Sequence, residues 1–163
     1  ADIAIRMFRP TQLDLVTRHI GDIPIVCCAH RAYLDRHGRP ETLDELMGYD
    51  LIGLDRSDLV IAGARANGID ASRSDFGLRT DSQTLGWELV KAGLGIGFGQ
   101  ANLVRRTPDM EELLPQLRVP PLEIWLTAHR ELFTSRRIRA IYDALSEALT
   151  ARFAGEALAE GKG

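Results

Sequence analysis

The chain of 163 residues has only two cysteines, Cys27 and Cys28, and they are adjacent. Neighbouring residues on an extended chain point to opposite faces, which argues against a bridge between them. Their setting, "IPIVCCAH", is apolar and strand-like. They read as two small buried hydrophobes in a reducing compartment. A redox thiol would want a CxxC spacing or a basic helix start beside it, and neither is present. No apolar run approaches the roughly 20 residues that span a bilayer. The opening "ADIAIRMFRP" is not a signal peptide, because no long apolar core follows a charged segment. A cytoplasmic protein without membrane contact is expected.

Neither sign of charge dominates. The net charge is −3, so the chain lacks the basic face by which nucleic acid is gripped. Catalytic signatures are missing as well. There is no G-x-S-x-G, no H-E-x-x-H and no Cys/His cluster with metal-ligand spacing. The four histidines, His19, His30, His37 and His129, are scattered. Glu111 and Glu112 are adjacent and point apart on what reads as a helical turn, so they form no paired-carboxylate site. No catalytic residue, no metal and no cofactor is expected.

What is present is alternation. "ADIAIR" and "IPIVCCA" read as strands. A buried strand at the first residue points to a fragment of a longer protein. "HRAYLDRHG" reads as a helix closed by Gly38. "PETLDELMGYD" carries a capping box, Thr42 with Glu45. "LIGLD", "FGLRT", "LGIGFG" and "PLEIWLTAH" read as strands. "DSQTLGWELVKAG" reads as a helix starting at Asp81 or Ser82. "QANLVRRT" reads as a short helix and "DMEELLP" as a helical turn. Residues 55–75 read as irregular or hairpin-like. The last helix follows Thr134 or Ser135, with Ile138, Ile141, Tyr142, Leu145 and Leu149 on one face. The tail after Gly155 is expected to fray. Strands alternating with helices imply an α/β architecture with largely parallel sheets.

"VKAGLGIGFGQ", residues 90–100, is not a phosphate cradle. A dinucleotide fingerprint follows a strand and opens a helix, whereas this run follows a helix and opens a strand. Gly93 reads as the left-handed residue past the helix end. Beyond it the period is two. Leu94, Ile96 and Phe98 share one face, and Gly95, Gly97 and Gly99 leave the other open to a close neighbour.

Four blocks in order resemble the effector-binding domain of LysR-type transcriptional regulators: "ADIAIR", "AHRAYLDRHGRPETLDEL", the helix "LGWELVKAGLGI" behind its "TDS" start, and "EIWLTAHRELFTSRRIRAIYDALSEAL". The resemblance implies a periplasmic-binding-protein-like fold of type 2. Two Rossmann-like lobes would hold a small-molecule effector in a cleft. Residues 1–24 would be a partial lobe I with the first crossover, and 25–128 lobe II. Residues 129–163 would cross back and carry the C-terminal helix to lobe I. Lobe I would be incomplete, because two further βα units normally precede the "ADIAIR" strand. DNA would be bound only by a helix-turn-helix domain outside this chain. The sequence departs from the family at Gly99 and Gln100, where leucine and proline are usual, and over residues 55–75.

In open α/β sheets, ligands bind beyond the carboxyl ends of strands. Thr80 and Ser82 sit at such an end, beside a helix start that favours an anion, with Asp81 expected as the cap. Gly99 and Gln100 end the next strand. Arg6 ends the first and could clamp a carboxylate. Ala29 and His30 end the second. At about 100° per residue, Leu85 and Leu89 define the sheet-facing side of their helix, and Trp87 lies about 200° from Leu85. Trp87 is therefore expected at a subunit interface in a dimer or tetramer. The function implied is effector sensing and dimerisation in a bacterial regulator, with a small anionic metabolite as ligand. The alternatives are a solute-binding protein or porphobilinogen-deaminase-like enzyme of the same fold, and an interaction module without a ligand.

Overall fold

A computed structural model describes residues 2–56 and 58–160. The chain divides into two units, Ala1–Ile23 with Pro121–Gly163, and Pro24–Pro120.

The first unit is a three-stranded antiparallel sheet in the order β1-β8-β2, formed by β1 (Ile3–Arg6), β2 (Leu15–Ile23) and β8 (Leu122–His129). Ile124, Leu126 and Ala128 share one face of β8 by the two-residue period of a strand. They are buried with Tyr142 of the long helix Arg136–Glu160. Tyr142 Oη donates to the Leu126 carbonyl at 3.0 Å. Gly21 admits Phe153, whose ring atom Cγ lies 2.9 Å from where a Cβ would stand. The helix runs past Gly155 to Glu160; residues 161–163 lie outside the described residues.

Three expectations are corrected in this unit. Residues 15–23, read as crossover, form β2. Its alternation is hidden because Arg18 faces the helix side, donating to Ser146 Oγ at 2.8 Å. A register shift between His19 and Gly21 then reverses the phase. The strand at 122–128, read as the end of lobe II, belongs with β1 and β2. Ile5, expected in a buried strand, is 54% exposed, because β1 is an edge strand.

The second unit opens with β3 (Ile25–His30), α1 (Arg31–His37) and the short α2 (Leu43–Leu46). Then follow β4 (Ile52–Gly53), α3 (Leu59–Ala66) and β5 (Leu78–Arg79). The unit ends with α4 (Gln83–Lys91), β6 (Gly97–Gln100), α5 (Ala101–Arg106) and β7 (Met110–Leu113). The helix of the first unit is α6. Strand β3 pairs antiparallel with both β6 and β7, and β4 pairs parallel with β5. A parallel bridge between Leu51 and Ile96 joins the two sets. Ile96 N donates to Asp50 O, and Ile52 N to Ile96 O, each at 2.8 Å. The order is thus β5-β4-β6-β3-β7, with β4, β5 and β6 running the same way. The expectation of largely parallel sheets is corrected, since the remaining pairings are antiparallel in both units.

Two local readings change as well. "DMEELLP" is not a helical turn. Its residues Met110–Leu113 form the edge strand β7, because pairing with the distant β3 outweighs local helix propensity. Residues 55–75 contain α3, closed by Asn67 and by Gly68 at φ 80°.

Candidate functional site

The parallel direction of β4, β5 and β6 brings their carboxyl ends to one edge of the second sheet. Thr80 follows β5 there, with its N–H donated to Gly53 O at 3.0 Å. Ser82 is the N-cap of α4, and its Oγ accepts from Leu85 N at 3.3 Å. Thr80 Oγ1 accepts from Ser82 N at 3.1 Å. Each hydroxyl therefore spends a lone pair on the backbone and keeps its own hydrogen to donate. Gln100 ends β6 and stands at the N-cap of α5.

Asp81 has a different task from the capping expected of it. Its Oδ1 accepts from Arg56 N at 2.8 Å, and its Oδ2 lies 3.5 Å from the Arg56 guanidinium. Arg73 in turn donates to the Arg56 carbonyl at 2.9 Å. The segment after β4 is so held from both sides of one residue. Nearby, Arg79 faces Asp55 at 3.8 Å. The sequence marks Asp81 as a cap but does not mark Arg56 or Arg79. The signal was available only as alternating charge around the "RTDS" and "LDRSD" segments, which does not say which charges meet.

Within the second unit, Ala29, His30 and Gly99 do not join Thr80 and Ser82. Strand β3 runs opposite to β6, so Ala29 and His30 lie at the far end of the sheet. There Ala29 is fully buried. His30 caps α1, its Nδ1 accepting from Ala32 N at 3.1 Å, which leaves the ring proton on Nε2 when neutral. Gly99 is not an open wall. A Cβ there would stand 2.9 Å from Trp87 Cζ3 and 3.0 Å from Val104 Cγ2. Arg6 belongs to the first unit, where its guanidinium lies 5.7 Å from the Phe8 ring centroid.

The glycine face is filled by the protein itself. Val90 Cγ2 lies 2.6 Å from a Cβ placed on Gly97, and the Asp50 backbone carbonyl is in contact at Gly95. This also corrects the reading of α4, of whose two expected sheet-facing leucines only Leu89 packs on this core. Val90 is buried, Trp87 packs with it against Cys28 and Ile52, and Leu85 is 50% exposed. Trp87 and Val90 are only about 60° apart on the helix. The glycines opposite them mark that side as the sheet-facing one, which the spacing of the leucines alone does not show.

Among the described residues, no group of three or more His, Cys, Asp or Glu could hold a metal. Burial pushes both thiols far up, Cys28 to about 12 with help from the Glu112 charge. Neither is a nucleophile at neutral pH. No helix among the described residues is long and apolar enough to cross a membrane.

The LysR substrate binding domain matches residues 1–150. The chain belongs to this family. A LysR-type domain serves a transcriptional regulator, and the enzymatic alternative is set aside. No curated protein matches the chain by sequence. Among solved structures, it is similar to the regulatory domain of CrgA, a LysR-type transcriptional regulator from Neisseria meningitidis. That match has 24% identity and a TM-score of 0.78, over 91% of this chain and 75% of that one. It is also similar to the effector domain of the regulator AmpR of Pseudomonas aeruginosa, at 18% identity and TM-score 0.74, over 95% and 75%. A third likeness is to full-length CbnR complexed with its target DNA, at 18% identity and TM-score 0.64, over 90% of this chain and 52% of that one. At these identities the likeness is one of fold, the periplasmic-binding-protein-like type 2 fold of LysR regulatory domains. The chain spans about half of the full-length regulator.

Proposed function

We propose that this LysR-type domain senses a small anionic metabolite at the carboxyl ends of β4, β5 and β6, with Thr80, Ser82 and Gln100 as its contacts. The observation that carries the reading is the pair of hydroxyls before α4. Both accept from the backbone and both keep a hydrogen to donate outward. The helix start supplies a partial positive charge. Asp81, which would repel an anion, is turned onto Arg56 instead.

An effector that binds one arrangement of the regulator more tightly than another shifts the population toward it. DNA contact then falls to a helix-turn-helix domain outside these residues, in keeping with the DNA complex of CbnR. Pairing of two copies uses the solvent side of α4 around Leu85. The test is a promoter-fusion assay in the intact regulator with Thr80→Ala and Ser82→Ala. Each lost hydrogen bond is worth about 1 kcal/mol, or several-fold in effector sensitivity. Wild-type induction curves in both variants would refute the placement.

A further inference from the structure

Asp58, Ile61, Ala62, Arg65, Ser72 and Arg73 line a second concavity. Asp58, Ile61, Ala62 and Arg65 follow the i, i+3, i+4, i+7 spacing of one helix face. That face of α3 meets Ser72 and Arg73 across a depression of about 490 Å³. This is within the size range of small-molecule pockets, roughly 300–1,000 Å³. None of Thr80, Ser82 or Gln100 lines it.

Its charges are unequal. Arg73 is committed, since Nε and Nη2 both donate to Asp58 Oδ1, at 3.2 and 2.9 Å. Nη2 also holds the Arg56 carbonyl. Asp58 is neutralised by that pair. Ser72 Oγ is taken by Ser74 and Asp75, at 2.7 and 2.9 Å. Arg65 stands apart, with no ion-pair or hydrogen-bond partner for its guanidinium among the described residues. Among the lining side chains two guanidiniums face one carboxylate, Asp75 is held on Ser72 by two hydrogen bonds, and the guanidinium without a partner is that of Arg65. Between the polar groups the lining is Ile61 and Ala62.

The geometry points to a second ligand site in this depression, for a small organic monocarboxylate with an apolar body. The carboxylate pairs with Arg65, whose planar fork fits two oxygens. The free Nη1 of Arg73 is in reserve. The apolar body lies along Ile61 and Ala62. A dianion would exceed the charge available, and a neutral molecule would leave Arg65 unpaired.

The experiment titrates 4-fluorobenzoate into the 163-residue chain and follows fluorine NMR line width, with 4-fluorobenzyl alcohol as the neutral counterpart. The site predicts saturable broadening by the carboxylate, with the alcohol about ten-fold weaker. Arg65→Gln and, independently, Ala62→Glu each weaken binding about ten-fold, while thermal melts show both variants folded. The double variant Thr80→Ala/Ser82→Ala keeps the part of the binding that Arg65→Gln weakens. No saturable change up to about 10 mM, unaltered binding in Arg65→Gln, or loss confined to the Thr80/Ser82 variant would each overturn the site. The last result would instead place the carboxylate at the proposed effector site.

Discussion

Trp87 occupies the space that a side chain at Gly99 would need, its Cζ3 2.9 Å from the Cβ position. The tryptophan and the glycine are therefore one packing unit, and a change at either is felt at the other. Gly99→Ala should destabilise the domain by about 1–3 kcal/mol through overpacking. Gly97→Ala should cost at least as much, since Val90 Cγ2 stands nearer still, at 2.6 Å. Urea midpoints of the two variants check this. Midpoints equal to wild type would mean that α4 does not sit on the glycine face.

The same packing separates stability from assembly on α4. Trp87→Ala removes a half-buried ring and should cost about 2 kcal/mol, without altering self-association. Leu85→Glu touches an exposed residue and should leave the melting curve nearly unchanged. In the intact regulator it should weaken the dimer measurably by sedimentation equilibrium. A dimer constant sensitive to Trp87 and indifferent to Leu85 would reverse the assignment.

Acid should release one strut of the β7 edge. Arg39 hydrogen bonds, and then Arg31, hold the Glu111 carboxyl below the usual glutamate range. A lowered folded pKa means that the unfolded chain takes up the proton first. The contribution is present above the unfolded pKa and is lost as pH falls through the folded value. Glu111→Gln should lower stability at pH 7 by about 0.2–1 kcal/mol, as exposed ion pairs do. The gap to wild type should narrow as pH falls below the ordinary glutamate range. A gap that is constant from pH 7 to pH 3 would assign the effect to packing.

The two thiols should be inert until the domain opens. Cys28 is fully buried and its pKa is pushed up to about 12. At pH 8, labelling by a disulfide reagent should be slow, and it should accelerate in parallel with unfolding by urea. Rapid labelling of native protein would show that the β3 strand is open to solvent.

Much of the second unit was legible. Gly38 and Gly93 announced helix ends, both at positive φ in the structure, and Thr42 announced a cap. The glycine run was read correctly as a surface for close approach. The run does not say what approaches, because the leucines of α4 do not mark the side that Trp87 and Val90 pack with. The strands missed share one cause. β2 and β7 owe their extended state to partners 80 or more residues away, β8 and β3. Arg18 and Glu111 break the apolar alternation that would have marked them. For the site, period and capping located Thr80 and Ser82. Only sheet direction could separate them from Ala29 and His30, and strand direction is not written in local sequence.

The most direct test of the effector site is an amide chemical-shift map of the labelled domain, titrated with a panel of small carboxylates and hydroxy acids. The account predicts that the ligand giving saturable shifts moves the amides of residues 80–84 and 100–102. It also predicts that the Thr80→Ala/Ser82→Ala variant abolishes those shifts. Shifts centred on Ala29, His30 and Gly93, at the opposite end of the sheet, would contradict it.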